Sequence, residues 1–138
     1  MAATCRQTQA IVADYTIAPR FPTPQQPKPA HRWFIEFDRP PADLPAFAAT
    51  LDSSIRGDSE DYDTHRQRDF GLAPPIVIPV ASGTFYQWMK RKGKLGGQHK
   101  VPRVARGSEM AEELQTISDS LAAAPGAEIH RRGAEAAD

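Results

Sequence analysis

The densest chemistry in this chain of 138 residues lies in one segment, Gly93-Lys94-Leu95-Gly96-Gly97-Gln98-His99-Lys100-Val101-Pro102-Arg103. Its three glycines let a backbone approach a ligand closely, and free amides in such a loop can line an anion pocket. Lys94 and Lys100 add mobile point charges, and Arg103 adds a forked donor that matches a phosphate. The spacing is not that of a Walker loop, which leads into a helix with Gly-Lys-Ser/Thr, whereas these glycines follow a helical pattern. Residue types alone leave two readings open. One is an anion cradle; the other is a glycine-rich helix end with solvated lysines.

Other reactive side chains are scattered. His31, His65, His99 and His130 show no i, i+4 pairing, and with one cysteine no structural zinc site and no metal site is expected. Ser82-Gly83-Thr84 lacks the Gly-x-Ser-x-Gly elbow of a nucleophile and suits a strand-to-helix cap better. Cys5 has no adjacent base and is expected in a mobile N-terminus, with no role. Lys90-Arg91-Lys92 could meet phosphates, or could complement the negative end of a helix. Nucleic-acid stacking would need Phe85, Tyr86 and Trp88 exposed, but helical spacing turns Phe85 and Trp88 inward.

The elements that must position the loop follow from periodicity. Ala10–Thr16 alternates as a strand, and HRWFIEFD (His31–Asp38) is the clearest strand. It sets Trp33, Ile35 and Phe37 on one face and Phe34 and Glu36 on the other. Between them, Pro19–Pro29 holds five prolines and reads as an exposed extended connection. Asp43 caps a helix striped by Leu44, Phe47, Leu51 and Ile55, with Gly57 as its expected end. A polar helix is expected over Ser59–Arg68, with Tyr62 and His65 as its inward candidates. Ile76–Val80 reads as a short buried strand that Pro79 pushes to a sheet edge. Thr84 and Gln87 form a capping box for a helix burying Phe85, Trp88 and Met89 and ended by Gly93. Ser108 caps a last helix striped by Met110, Leu114, Ile117 and Leu121, stopped by Pro125-Gly126. The order implies an α+β fold, a small mixed or antiparallel sheet packed with helices.

Composition bounds the remainder. Length fits one domain, taken as residues 1–124, with a disordered tail expected over 125–138. Acids and bases are 17 each, so no net charge draws the chain to nucleic acid or to an anionic membrane. The bases are nevertheless segregated: Phe70–Ser108 has seven (Lys90, Arg91, Lys92, Lys94, Lys100, Arg103 and Arg106) and no acid. Asp43–Asp69 has seven acids against three arginines. The basic block is either an anion-binding face or a partner for the acidic half. No apolar run approaches the ~20 residues of a membrane span, and one cysteine points to a reducing cytoplasm. Proline, at 13 residues, is about twice its usual share.

The string GKLGGQHKVPRV, behind a strand and GTFYQWMKRK, resembles the end of the Gretchen Hagen type acyl-acid amido synthetases, also called the auxin-responsive promoter family. Bacterial members are the nearest in kind. The resemblance extends upstream through HRWFIEFD and the Tyr15 strand and downstream to Glu112-Glu113-Leu114, most of the chain. It implies the C-terminal lid domain of an adenylate-forming enzyme, which activates a carboxylic acid with ATP and magnesium and passes the acyl group to an amino acid. It further implies that Lys100 is the catalytic lysine that swings to the α-phosphate. Lys94, Gly96, Gly97, Gln98 and Arg103 are expected on the nucleotide, with Gln98 and Arg103, which flank the lysine, also expected to orient the loop; His99 has no implied role.

Nothing in the sequence resembles the phosphate loop, ribose carboxylate or acyl pocket of such enzymes, so an N-terminal adenylation domain is the expected partner and the main binder of ATP. Met1 precedes sequence that would be interior in the family, so the chain is expected to be a fragment or a lid that persists alone, inactive by itself. Two rivals remain: a stand-alone nucleotide- or phosphate-binding module, and a nucleic-acid-binding domain using Lys90–Arg106. The nucleic-acid-binding rival would lose affinity steeply with salt.

Overall fold

Strand β2 (Ala30–Arg39) is the centre of the computed structural model, which describes residues 1–67, 71–94 and 100–123. It pairs antiparallel with β1 (Ile11–Arg20) and parallel with β3 (Ile76–Val80), giving a mixed sheet in the order β1-β2-β3. A parallel pair cannot be joined by a hairpin. The crossover from β2 to β3 therefore carries α2 (Leu44–Asp58) and α3 (Glu60–Arg66). The chain opens with α1 (Ala2–Thr8) and closes with α4 (Thr84–Arg91) and α5 (Glu109–Ala122).

The alternation of β2 divides the core into two. Trp33, Ile35 and Phe37 face Phe47 and Leu51 of α2, with Phe37 and Phe47 edge to face at 5.3 Å. Phe34 faces the opposite side, where Phe85, Trp88 and Met89 of α4 meet Met110, Leu114 and Ile117 of α5. The sheet is thus covered on both faces, as a sheet with a parallel crossover requires.

Several local expectations are corrected. The first seven helical residues bury only Thr4 and have no apolar stripe. The N-terminus is nonetheless helical, held against α2, and Cys5 is half-buried in it. Strand β1 runs on through Pro19, paired with His31, because Pro19 gives up only its own donor while its carbonyl accepts from Arg32 Nη2 at 2.8 Å. The connection is therefore shorter, residues 21–29. Helix α2 does not stop at Gly57. A glycine costs an α-helix only ~1 kcal/mol, and the break comes at Ser59, whose extended backbone ends α2 and whose hydroxyl accepts from Tyr62 N to start α3. Strand β3 is half-buried rather than buried, with Pro79 exposed on the edge.

Asp43 caps α2 as expected, accepting from Ala46 N at 3.1 Å. Ser108 stands at the cap of α5 without a side-chain hydrogen bond. Pro125-Gly126 and the expected tail at 125–138 lie outside the described residues.

Helix α3 has no buried residue, and His65 is exposed. Ionic bonds hold it instead. Arg66 donates to both oxygens of Asp52 (2.8 and 2.7 Å), and Tyr62 donates its hydroxyl to Asp52 at 2.7 Å. Arg66 also reaches the Leu72 carbonyl at 3.1 Å, tying the helix to the following loop. Asp52 and Arg66 are each only 13% exposed in their side chains, so this fork–fork pair is better shielded than an ordinary surface bridge. The Arg66 bond holds the Asp52 carboxyl below its usual value of 3.8. Burial, then the bond to Asp52, raises the Tyr62 hydroxyl.

A group with a depressed folded pKa contributes stability above its unfolded value and loses it as the pH falls through the folded one. The melting temperature is therefore expected to fall as the pH drops below about 4, and Asp52→Asn should remove part of that slope in a melt series. An unchanged slope would show that the Asp52–Arg66 bond contributes nothing measurable.

Candidate functional site

Gly93 makes the basic loop possible. Its φ of 69° is left-handed, a conformation glycine adopts without steric cost. With it, Gly93 N bonds to Lys90 O at 3.0 Å and Lys94 N to Met89 O at 2.8 Å. These two bonds are the Schellman pattern that ends a helix and redirects the chain. Lys94 consequently leaves α4 on the side of the sheet's β1 edge.

At the other end of the loop, residues 101–105 lie along the outer edge of β1. Ile17 N bonds to Arg103 O and Ala105 N to Ile17 O, both at 2.8 Å, around a parallel bridge between Ile17 and Val104. Val101 and Ala105 turn into the core while Val104 faces solvent. Arg103 Nη1 donates to Asp14 Oδ1 and to the Tyr15 carbonyl, both at 2.6 Å, and its guanidinium lies 4.4 Å from the Tyr15 ring centre.

These placements bring Lys94, Lys100 and Arg103 together. All three line one open depression of about 440 Å³, floored by Ala13 and Asp14 of β1 and Glu36 of β2, with Phe85, Tyr86 and Met89 of α4 as its wall. Gly96, Gly97, Gln98 and His99 lie outside the described residues.

The charges in the depression are unequal in freedom. Asp14 is occupied by Arg103 and by its neighbour's amide, Tyr15 N, at 2.9 Å. Glu36 accepts from Gly83 N at 3.2 Å and Phe85 N at 3.1 Å, at the positive end of α4. Among the described residues neither Lys94 nor Lys100 has a side-chain partner, and both are exposed. Two ammonium groups are thus left facing a space whose carboxylates are already engaged. An arriving anion would meet net positive charge there.

Glu36 also corrects the capping expectation. Gly83, at φ 91°, is the cap residue of α4, and Thr84 donates its hydroxyl to Ala81 O at 2.6 Å. No Thr84–Gln87 box forms; the carboxylate from β2 takes the free amides. A single acid among the inward residues of HRWFIEFD was the available signal, because a charge facing a core needs partners. Asp14 and Thr16 had no such signal, since their partners are 86 residues or more away along the chain.

The basic block does not form one free surface. Lys92 bonds to Glu113 at 2.9 Å, and the same carboxylate accepts from Trp88 Nε1 at 2.9 Å, clamping α4 to α5. Phe85 and Trp88 are buried, and Tyr86 alone of the three neighbouring aromatics is exposed, at 57%. Among the described residues no three His, Cys, Asp or Glu side chains converge as metal ligands, and no helix is long and apolar enough to cross a membrane.

The family model for the GH3 family C-terminal domain matches residues 1–109, which include the whole loop. The chain belongs to this family. Among solved structures, this GH3 C-terminal domain is similar to "GH3.15 acyl acid amido synthetase", with a TM-score of 0.61 and 18% identity over 86% of this chain and 21% of that one. It is also similar to "AtGH3.15 acyl acid amido synthetase in complex with 2,4-DB", with a TM-score of 0.62 and 19% identity over 83% of this chain and 21% of that one. The chain spans about a fifth of the length of those two proteins, since 21% of each is covered. At such identities the likeness is one of fold. No curated protein matches the sequence. The α+β architecture of this GH3 domain, helices on a small mixed sheet, agrees with those neighbours.

Proposed function

We propose that this GH3 domain is the C-terminal lid of an ATP-dependent acyl-acid amido synthetase, in which Lys100 contacts the α-phosphate during adenylation. The observation that carries the reading is the pair of ammonium groups, Lys94 and Lys100, with no side-chain partner among the described residues, at one depression whose carboxylates are engaged. In the reaction a carboxylate attacks the α-phosphorus of ATP, pyrophosphate leaves, and an amino-acid amine then displaces AMP from the acyl-adenylate. Negative charge grows on the α-phosphate in the first step, and a preorganised cation there stabilises it. Lys94 and the loop amides of Gly96, Gly97 and Gln98 assist by holding the phosphate chain.

A lid that carries the cation shields the labile mixed anhydride from water when it closes. The acyl and amine pockets, and most of the ATP contacts, belong to an N-terminal adenylation domain. Magnesium would sit with that domain, since the described residues here offer an anion site and no cluster of metal-binding carboxylates. The single cysteine fits a reducing, cytoplasmic setting.

The test is ATP–pyrophosphate exchange. The 138-residue protein alone is expected to give none, and exchange should appear when it is joined to an N-terminal adenylation domain of the family. Exchange by the isolated chain would place the adenylation machinery here and end the lid reading. Tight nucleotide binding by the isolated chain, lost in Lys100→Ala, would favour a stand-alone phosphate-binding module, which the same two lysines could serve.

A further inference from the structure

We infer that Arg103 and Thr16 are positioning residues, a latch that fixes Lys100 against the β1 edge, and that Arg103 does not itself bind the phosphate. This rests on the reading of Lys100 as the phosphate-contacting group. Among the described residues, the segment that follows Lys100 pairs with β1 alone, through two backbone hydrogen bonds at Ile17 and Ala105. So short a pairing would fray at a sheet edge without side-chain support.

Both side-chain supports come from the same three residues of β1. Thr16 is fully buried and donates its hydroxyl to the Pro102 carbonyl at 2.6 Å. Proline has no amide of its own for the ladder, so its carbonyl is the available handle at that position. One residue on, Arg103 reaches back over the strand to Asp14 and the Tyr15 carbonyl and stacks on the Tyr15 ring. Its guanidinium is thereby held by a carboxylate, a carbonyl and an aromatic face at once. An incoming phosphate would have to displace Asp14 to claim it, whereas Lys94 and Lys100 need displace no described partner. Lysine in place of Arg103 would keep the charge but lose the planar stacking and the fork.

The latch is read directly by amide hydrogen exchange on the 138-residue protein. Thr16→Val and Arg103→Ala should each speed exchange at Ile17 and Ala105 by about 3- to 10-fold, the scale of one net hydrogen bond. The amides of Ile35 and Leu114, in the two cores, should keep their protection. Thr16→Ser, which restores the hydroxyl, should restore protection. Unchanged exchange at Ala105 in Arg103→Ala would overturn the latch, and equal loss at Leu114 would show only general destabilisation.

A second readout uses the chain joined to an adenylation domain. Loss of positioning should lower kcat for ATP–pyrophosphate exchange in Thr16→Val and Arg103→Ala alike, with little change in KM for ATP. The double variant should be no worse than the poorer single, because both break one device. A large rise in KM for ATP in Arg103→Ala alone would make Arg103 a phosphate ligand and overturn the inference. Absence of exchange in the joined wild-type protein would sink the lid reading, while the amide-exchange result would still decide the latch.

Discussion

Lys100→Ala, placed in the joined synthetase, is expected to lower kcat for ATP–pyrophosphate exchange by about 10²–10³-fold, the usual cost of removing one preorganised group from a developing oxyanion. KM for ATP should change much less, because the contact forms as charge grows on the α-phosphate and not in the ground state. Lys94→Ala should cost less, since Lys94 starts from the end of α4 and shares the depression without standing next to the Val101–Ala105 anchor. Lys100→Arg keeps the charge on a longer, planar group and should recover only part of the loss. Circular dichroism should be unaltered in all three, as both lysines are exposed. Full exchange activity in Lys100→Ala would remove this residue from the chemistry and, with it, the main support for the lid reading.

What the sequence disclosed about this site depended on the range of the interaction. The loop was visible because its glycines and cations are contiguous, and the β2 faces were visible because alternation is local. Phe34 and Trp33 do point to opposite cores, as period two requires. The N-terminal helix was not visible, since AATCRQT has no stripe and buries only Thr4. The cap of α4 was misplaced because a satisfactory local signal, Thr84 and Gln87, competed with Glu36, 47 residues earlier than Gly83. The carboxylate prevails because it is held rigidly on the central strand and accepts from two amides at once. The attachment of residues 101–105 to β1 was equally hidden. Strand pairing at a sheet edge has no compositional mark, and Asp14 and Arg103 are 89 positions apart.

The segregation of charge in the sequence also resolves into separate devices. Lys92 belongs to a clamp with Glu113, where the carboxylate's hydrogen bond holds the ammonium above its usual range and the ammonium holds the carboxyl below its own. Arg103 belongs to the β1 edge. Of the seven bases between Phe70 and Ser108, those two are engaged with carboxylates from β1 and α5, so the stretch is partly a set of internal partners. Lys94 and Lys100 are what remains at the depression. Neither Asp14 nor Glu113 comes from the acidic Asp43–Asp69 stretch, whose Asp52 and Asp63 bond instead to Arg66 and Arg56. A DNA-binding block would need these bases on one free face beside exposed aromatics, and Phe85 and Trp88 are in the core.

Phe34→Ala is expected to be the most damaging single substitution to the fold. The ring is 1% exposed and sits on the face of β2 covered by α4 and α5, within the cluster of Phe85, Trp88, Met89 and Leu114. Truncating a buried phenylalanine loses its transfer free energy and leaves a cavity, together about 3–5 kcal/mol. Collapse around the gap is hindered because its walls belong to a sheet and two helices joined by the Trp88–Glu113–Lys92 clamp. A domain of this size has ~5–15 kcal/mol in total, so urea unfolding should show a midpoint lowered by roughly a fifth or more with an unchanged m-value. Phe34→Leu keeps most of the volume and should cost markedly less. The consequence reaches the site, because Val101 and Ala105, the residues that anchor the segment after Lys100, pack into this same cluster. In Phe34→Ala, amide protection at Ala105 should therefore fall along with that at Leu114, the opposite of the local loss expected when Thr16 or Arg103 is changed. Loss at Leu114 alone in Phe34→Ala, with Ala105 unchanged, would mean that the α4–α5 core does not support the segment that carries Lys100.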